Sequence, residues 1–331
     1  MEIISGVHQI KVPFPQGMPG YTNAYVVEGS AGNILVDTGW DTSEALSALT
    51  SGLKKDFLKF RDVRKIVITH LHPDHFGLAS RLKQLCGATV AMHEIDAGLI
   101  NARYINFGEL LEEMGGELRR SGVPESELLE LGKASLWMRQ FVWPEAPEVS
   151  LRDGDKLSTG SFEFEILRTP GHSPGHICLY EPRKGLFFSG DHVLYQTTPH
   201  IGFHPQSGDN PLDDYIDSLK ALKQLKVNFV FPGHGPVFNS LGLRVTEILN
   251  HHEQRKRTIM KAISDDLKTA YQIAEEIPWK VEIGGVAFRD LSPWDRRLAI
   301  MQLIAYLKSL MAEGKVGKVD RDGVSLYLAN D

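Results

Sequence analysis

Four side chains able to ligate a metal fall within six residues of one another, in Thr69-His70-Leu71-His72-Pro73-Asp74-His75. An apolar run, Ile66-Val67-Ile68, leads straight into them. A spacing of two keeps His70, His72 and Asp74 on one side of an extended segment. His75 falls at the start of a helix and reaches a neighbouring point. That is more ligand capacity than one ion needs from one loop. Imidazole nitrogen and carboxylate oxygen suit zinc, iron or manganese. Three further segments repeat the pattern of an apolar strand ending in a ligand type: Phe164–Leu167 leads to Thr169-Pro170-Gly171-His172, Leu186–Ser189 to Gly190-Asp191, and Phe229–Phe231 to Pro232-Gly233-His234. A lone histidine is usually structural. Seven ligand types at four strand ends are a pattern, and the chemistry it points to is metal-assisted.

The elements that must position these groups are legible in outline. Ile3–Val12, Asn23–Glu28, Asn33–Asp37 and Val63–Thr69 read as strands, as do Ala88–His93, Phe162–Arg168 and His176–Glu181. Thr42–Phe57 reads as an amphipathic helix capped by Asp41 or Thr42, and a second helix is predicted over His75–Leu85. Residues 96–148 interrupt the alternation with helical, aromatic-rich sequence, either packing its own small core or forming a lid over a pocket. Asp213–Leu225 reads as a helix. From Leu241 the character changes: helices over Leu241–Ile263, Ala270–Ile277 and Asp295–Met311, then a hairpin over Lys315–Leu328 turning at Asp322-Gly323. That order is the outline of a winged helix. It divides the chain into 1–241 and 242–331.

The chain has 331 residues, with 36 Lys and Arg against 42 Asp and Glu, a net charge of −6 with histidine neutral. Its composition is 42% hydrophobic and 24% charged, which excludes wholesale disorder and fibrous repeats. No stretch approaches the roughly 20 apolar residues of a spanning helix, and the start carries no visible signal peptide. Cys86 and Cys178 give neither a disulfide framework nor a metal knuckle. A cytoplasmic setting without membrane association is the expectation.

HxHxDH, a Gly-His loop, Gly-Asp and Pro-Gly-His together resemble the metallo-β-lactamase superfamily, and closely its glyoxalase II-like branch, over residues 1–240. The resemblance implies an α+β fold: an αββα sandwich with the site at one edge, here with a helical insertion and a small C-terminal winged-helix-like domain. It implies two divalent cations, zinc first, with iron or manganese also compatible. His70, His72 and His172 would hold one, Asp74, His75 and His234 the other, and Asp191 would bridge them. Val36-Asp37-Thr38-Gly39 matches the family turn, and Asp37 would orient ligands. Zinc β-lactamases typically have cysteine where Asp191 stands, flavodiiron relatives have glutamate at His72, and the basic glutathione segment of glyoxalase II is missing.

Such a centre implies hydrolysis by a hydroxide formed between the cations, with Asp74 and Asp191 as the catalytic carboxylates moving the proton. The expected substrate is a small thioester, ester or lactone. The alternative is an endoribonuclease acting on single-stranded RNA, because the C-terminal region resembles the branch containing β-lactamase-like protein 2. Arg255, Lys256, Arg257, Arg296 and Arg297 would then grip phosphate; packing is the favoured role for them. A nucleic-acid-binding module with a vestigial site is a third reading, and the complete ligand set opposes it. Among the other histidines, His192, His200 and His204 read as surface loop residues rather than substrate contacts, and His176 as structural. Tyr195 is a candidate oxyanion donor. Oligomeric state has no signature.

Overall fold

The computed structural model describes residues 1–18, 20–263, 266–280 and 284–330. Strands β1 (Glu2–Ile4), β2 (Val7–Pro13), β3 (Tyr21–Val27), β4 (Asn33–Val36), β5 (Val63–Ile68), β6 (Thr89–His93) and β7 (Val149–Leu151) form one sheet in chain order. Its first four strands are antiparallel, and β4 to β7 run parallel. Strands β8 (Lys156–Ser158), β9 (Glu163–Arg168), β10 (Ile177–Glu181), β11 (Leu186–Gly190) and β12 (Phe229–Pro232) form the second, in the order β12-β11-β10-β9-β8. The parallel β11–β12 pair closes it.

Side chains of period two sort into layers. Tyr25, Val27, Val36 and Val67 of the first sheet meet Phe164, Ile166, Leu179, Phe188 and Phe231 of the second. The alternate residues of the first sheet, Val26, Leu35, Ile66 and Met92, face helix α1 (Ser43–Lys55), short α2 (Pro73–Phe76) and α3 (Ala79–Cys86). Thr42 caps α1 by accepting from the Ala45 amide. The single helix expected over His75–Leu85 is broken in two. The break falls at Gly77-Leu78, and glycine is needed there because a side chain at 77 would run into the Pro73 and Phe141 carbonyls.

The insertion comprises α4 (Glu94–Ile100), a π-turn at Asn101–Ile105, α5 (Gly108–Arg120), α6 (Glu125–Lys133) and a tight turn at Leu136–Phe141. It does not build a core of its own. Leu118, Val123, Leu128 and Leu131 share one cluster with Phe187 and Val230 of the second sheet, with α7 (Pro211–Leu222), and with the C-terminal helices α8 (Leu241–Ala262), α9 (Ala270–Glu276) and α10 (Pro293–Ala312). A third sheet, ordered β13 (Lys268–Thr269), β15 (Val324–Ala329), β14 (Val316–Arg321), completes this end. Its hairpin turns at Asp322-Gly323, both at positive φ. α10 is apolar nearly all round, as a helix enclosed by neighbours must be. Both sheets are thus covered by helices on their outer faces. No helix among the described residues is long and apolar enough to cross a membrane.

Candidate metal centre

Loops leaving β5, β9, β11 and β12 meet at one edge of the sandwich and bring all seven expected side chains together. His70, His72 and His172 have ligand atoms within 4.8 Å of one another. Asp74, His75 and His234 form a second such group, and His70, His75 and Asp191 a third that joins the two. Asp191 lies 3.4 Å from His75 Nε2 through Oδ1, and 3.3 and 3.6 Å from His234 and His172 Nε2 through Oδ2. Asp74 Oδ2 is 3.3 Å from His234 Nε2.

Hydrogen bonds behind the cluster fix which ring nitrogen faces inward. Thr69 Oγ1 donates its one proton to Asp37 Oδ2, so at 3.0 Å it must accept from His70 Nδ1. His75 Nδ1 donates to Asp37 Oδ2, His172 Nδ1 to the His200 carbonyl and His234 Nδ1 to the Tyr21 carbonyl. Each of these four therefore turns Nε2 toward the centre. His72 turns Nδ1, 3.0 Å from His70 Nε2, closer than two lone pairs tolerate without a proton or a cation between them. His172 Nε2 and Asp191 Oδ1 are buried with no hydrogen-bond partner. Unsatisfied buried atoms of this kind want a ligand, and the donor set fits divalent cations.

Electrostatics divides the cluster. Burial, reinforced by neighbouring imidazoles, holds His70 and His72 well below the usual histidine range, so they stay neutral with lone pairs free. At His75 burial opposes charge, yet Asp191, Asp37 and Asp74 overcome it and raise the imidazole to about 10. Burial likewise opposes ionisation of Asp191, but His234 and His75 hold it well below the carboxylate range. This half of the site demands positive charge, whether from protons or from a metal.

Outer residues lock the loops. Asp37, at φ 57°, also accepts from the Thr69 amide, and Thr38 Oγ1 donates to the His75 carbonyl. His176, read as structural, is buried, and its Nε2 accepts from the Asp191 amide. Asp96 carries no sequence signal, yet it is fully buried and accepts from the Leu71 amide, Ser173 Oγ and the Gly175 amide, tying the HxHxDH loop to the Gly-His loop. Asn23 and Tyr25 reach across from the first sheet: Asn23 Nδ2 donates to the Pro232 and Gly235 carbonyls, and the Tyr25 hydroxyl to Pro232.

Two expectations are corrected. His192 is not a surface loop residue but fully buried, because Tyr215 packs on its ring and donates to its carbonyl. His200 and His204 are half-buried, and the His200 backbone serves the centre through His172. Tyr195 stands 44% exposed against Phe238. An aromatic wall rises beside the second group: Phe14 meets His234 edge-on at 5.7 Å, then Trp40, Trp137 and Phe141. Trp40 Nε1 is buried and unpaired.

The two glycines of Gly190-Asp191 and Gly233-His234 are needed for space. A methyl at Gly233 would collide with Asp191 Oδ1 and stand 2.7 Å from His75 Cε1. Gly233→Ala is expected to keep the fold but displace Asp191, lowering metal content and cutting turnover by about 10- to 100-fold, the range seen when groups that orient ligands are lost. Metal analysis beside a melting curve checks this; unchanged metal content would refute it.

Residues 17–234 match the family model for the metallo-beta-lactamase superfamily. The chain is 28% identical over 276 residues to the probable metallo-hydrolase YqjP of Bacillus subtilis, covering 81% of this chain and 83% of that one. It is 30% identical over 230 residues to the human acyl-coenzyme A thioesterase MBLAC2, covering 66% and 74%. The crystal structure of the metallo-beta-lactamase family protein TTHA1429 from Thermus thermophilus superposes with a TM-score of 0.83 at 27% identity, over 99% of this chain and 100% of that one. Both the arrangement of side chains at the sheet edge and the match over two sheets place this chain in the metallo-β-lactamase superfamily.

Proposed function

We propose that the chain is a hydrolase of small thioesters that works with two divalent cations, zinc being the first choice. The observation that carries the two-cation reading is the placement of Asp191 between the two groups of imidazoles. When bound, such cations supply Lewis-acid polarisation and bring the pKa of water near neutrality. His70, His72, His172 and Asp191 would hold one, and Asp74, His75, His234 and Asp191 the other. Asp74 is the more exposed carboxylate, its side chain 18% accessible against 10% for Asp191, so Asp74 is placed to pass a proton to solvent. Phe14, Trp137 and Phe141, backed by the buried Trp40, offer an apolar surface for an acyl chain and keep water from that side.

The thioester is favoured over RNA by where the C-terminal cations are used. Arg255 donates to the Pro278 carbonyl and lies over Trp279, and Lys256 pairs with Glu313. Arg296 pairs with Glu127 and Glu130 across to α6. Arg297 is buried against the insertion. Of the five, Arg257 alone is exposed. The name of the MBLAC2 relative points the same way.

A panel of acyl thioesters, esters, lactones and single-stranded RNA tests the reading. Thioester turnover is expected to vanish on chelation and to return with zinc, iron or manganese. RNA cleavage with no thioester turnover would overturn it.

A further inference from the structure

The His200 carbonyl, which accepts from His172 Nδ1 at 2.9 Å, belongs to a stretch with little fastening of its own. Among the described residues, no backbone–backbone hydrogen bond reaches Leu194–Gly202. The turn that carries Asp191 is secured separately. The Asp191 amide donates to His176, the His192 amide to the Ser189 carbonyl, and Ser189 Oγ to the Val193 carbonyl. The far end is secured where Ile201 is buried and the Phe203 amide donates to the Met301 carbonyl of α10. Behind the middle, Thr198 and His200 border a cavity of about 200 Å³ that they share with His251, Leu298 and Ala299, so close packing does not hold the chain there.

One side chain bridges the gap. Arg244, near the start of α8, donates through Nε to the Leu194 carbonyl at 2.7 Å and through Nη2 to the Thr197 carbonyl at 3.0 Å. Its Nη1 donates to Glu247 at 2.9 Å, and the arginine side chain is only 13% exposed against 51% for that glutamate. A planar guanidinium gripping two carbonyls fixes their spacing and direction, as the point charge of a lysine does not. Pro199 fixes its own φ and biases Thr198 to extended backbone, so the course set at Thr197 carries on to His200. Burial of Ile201 fixes a side chain, not the plane of the peptide before it.

Resting on the two-cation reading above, we infer that Arg244 is a positioning residue for the cation held by His70, His72 and His172. By clasping Leu194 and Thr197 it aims the His200 carbonyl at His172 Nδ1, and so turns Nε2 of that ring inward. The C-terminal region thereby sets the geometry of a centre whose expected ligands all lie before it.

The test is metal binding by the full chain, followed for zinc by competition with a chromophoric chelator and for cobalt by the visible spectrum. Arg244→Met keeps the aliphatic stem and removes both donors. It is expected to weaken one of the two equivalents by about 10- to 100-fold, the range for groups that orient ligands, and to leave the other within about twofold, because the Asp191 turn keeps its own bonds. The spectrum of one cobalt site should change with it. Arg244→Lys, a cation without the fork, should fall between Arg244→Met and the wild type. Glu247→Gln leaves both carbonyl bonds in place and should bind metal like the wild type. Two unchanged equivalents in Arg244→Met overturn the inference, as does equal weakening of both with a lowered melting temperature, or a loss in Glu247→Gln as large as that in Arg244→Met. If Arg244→Met does not fold, Arg244→Lys decides: selective weakening of one equivalent supports the inference, and no weakening overturns it. If the wild type holds fewer than two equivalents, the two-cation reading fails separately. The His172 Nδ1 proton, followed by NMR in protein labelled with nitrogen-15 histidine, then decides: exchange with water at least about tenfold faster in Arg244→Met supports the clasp, and equal exchange overturns it.

Discussion

Asp191→Asn is expected to leave a folded protein that holds at most one cation equivalent and has lost hydrolysis by well over the about 10- to 100-fold cost of an outer partner. Among the described residues, Asp191 is the carboxylate that faces both groups: its Oδ1 lies near His75 and its Oδ2 near both His234 and His172. The amide keeps the shape but removes the negative charge that offsets the surrounding imidazoles. The Asp191 amide bond to His176 is on the backbone and survives, so the loop stays in place. The sign with pH follows. Asp191 has its carboxyl depressed, so its pairing stabilises the fold above the ordinary carboxylate range and is lost as pH falls through the depressed value. The variant should therefore show a flatter stability curve in acid than the wild type. Elemental analysis and acid titration of both proteins check this; two retained equivalents, or an unchanged acid limb, would refute it.

Asp37→Ala has the second largest expected effect, and its cost falls on folding and function together. The carboxylate accepts three hydrogen bonds, from the Thr69 amide, Thr69 Oγ1 and His75 Nδ1, and is 2% exposed. Removing it strands buried donors at about 1–3 kcal/mol apiece, and alanine is also strained at the left-handed φ of 57°. A loss of roughly 3–5 kcal/mol is expected from those terms. Because the Thr69 hydroxyl and His75 ring lose their orientation at once, metal affinity should fall by about 10- to 100-fold. Asp37→Asn keeps the left-handed preference and one acceptor oxygen. It should recover most of the stability while His75 stays misdirected. Equilibrium unfolding with metal titration separates the two effects; wild-type affinity in Asp37→Asn would show that the His75 contact does not matter.

Much of this is readable from sequence because it depends on local order. His70, His72, His172, Asp191 and His234 each follow an apolar strand, and strand ends at one sheet edge converge. Asp37 was legible through its turn. Asp96, Asn23 and Tyr25 were not, since each acts on atoms far along the chain: Asn23 reaches Pro232 and Gly235, Tyr25 reaches Pro232, and Asp96 reaches Gly175. An isolated Asp or Tyr has no periodicity to betray such a role. Strands β7, β8 and β13 escaped because segments of three, three and two residues carry too little alternation to detect. The need for glycine at 77 depends on the Phe141 carbonyl, which only the folded insertion brings there. His192 looked like loop sequence because its cover, Tyr215, lies on another element.

The bonds from Asn23 and Tyr25 to the Pro232–Gly235 segment have a consequence for biosynthesis. They stitch the chain's opening hairpin to a strand made more than two hundred residues later. A ribosome must therefore extrude that distal strand before the pocket exists at all. Until then the early histidines hang on an open sheet edge, able to catch an ion only loosely. The full set of expected ligands therefore exists only once His234 has been made, and a product truncated before it would lack one of the seven.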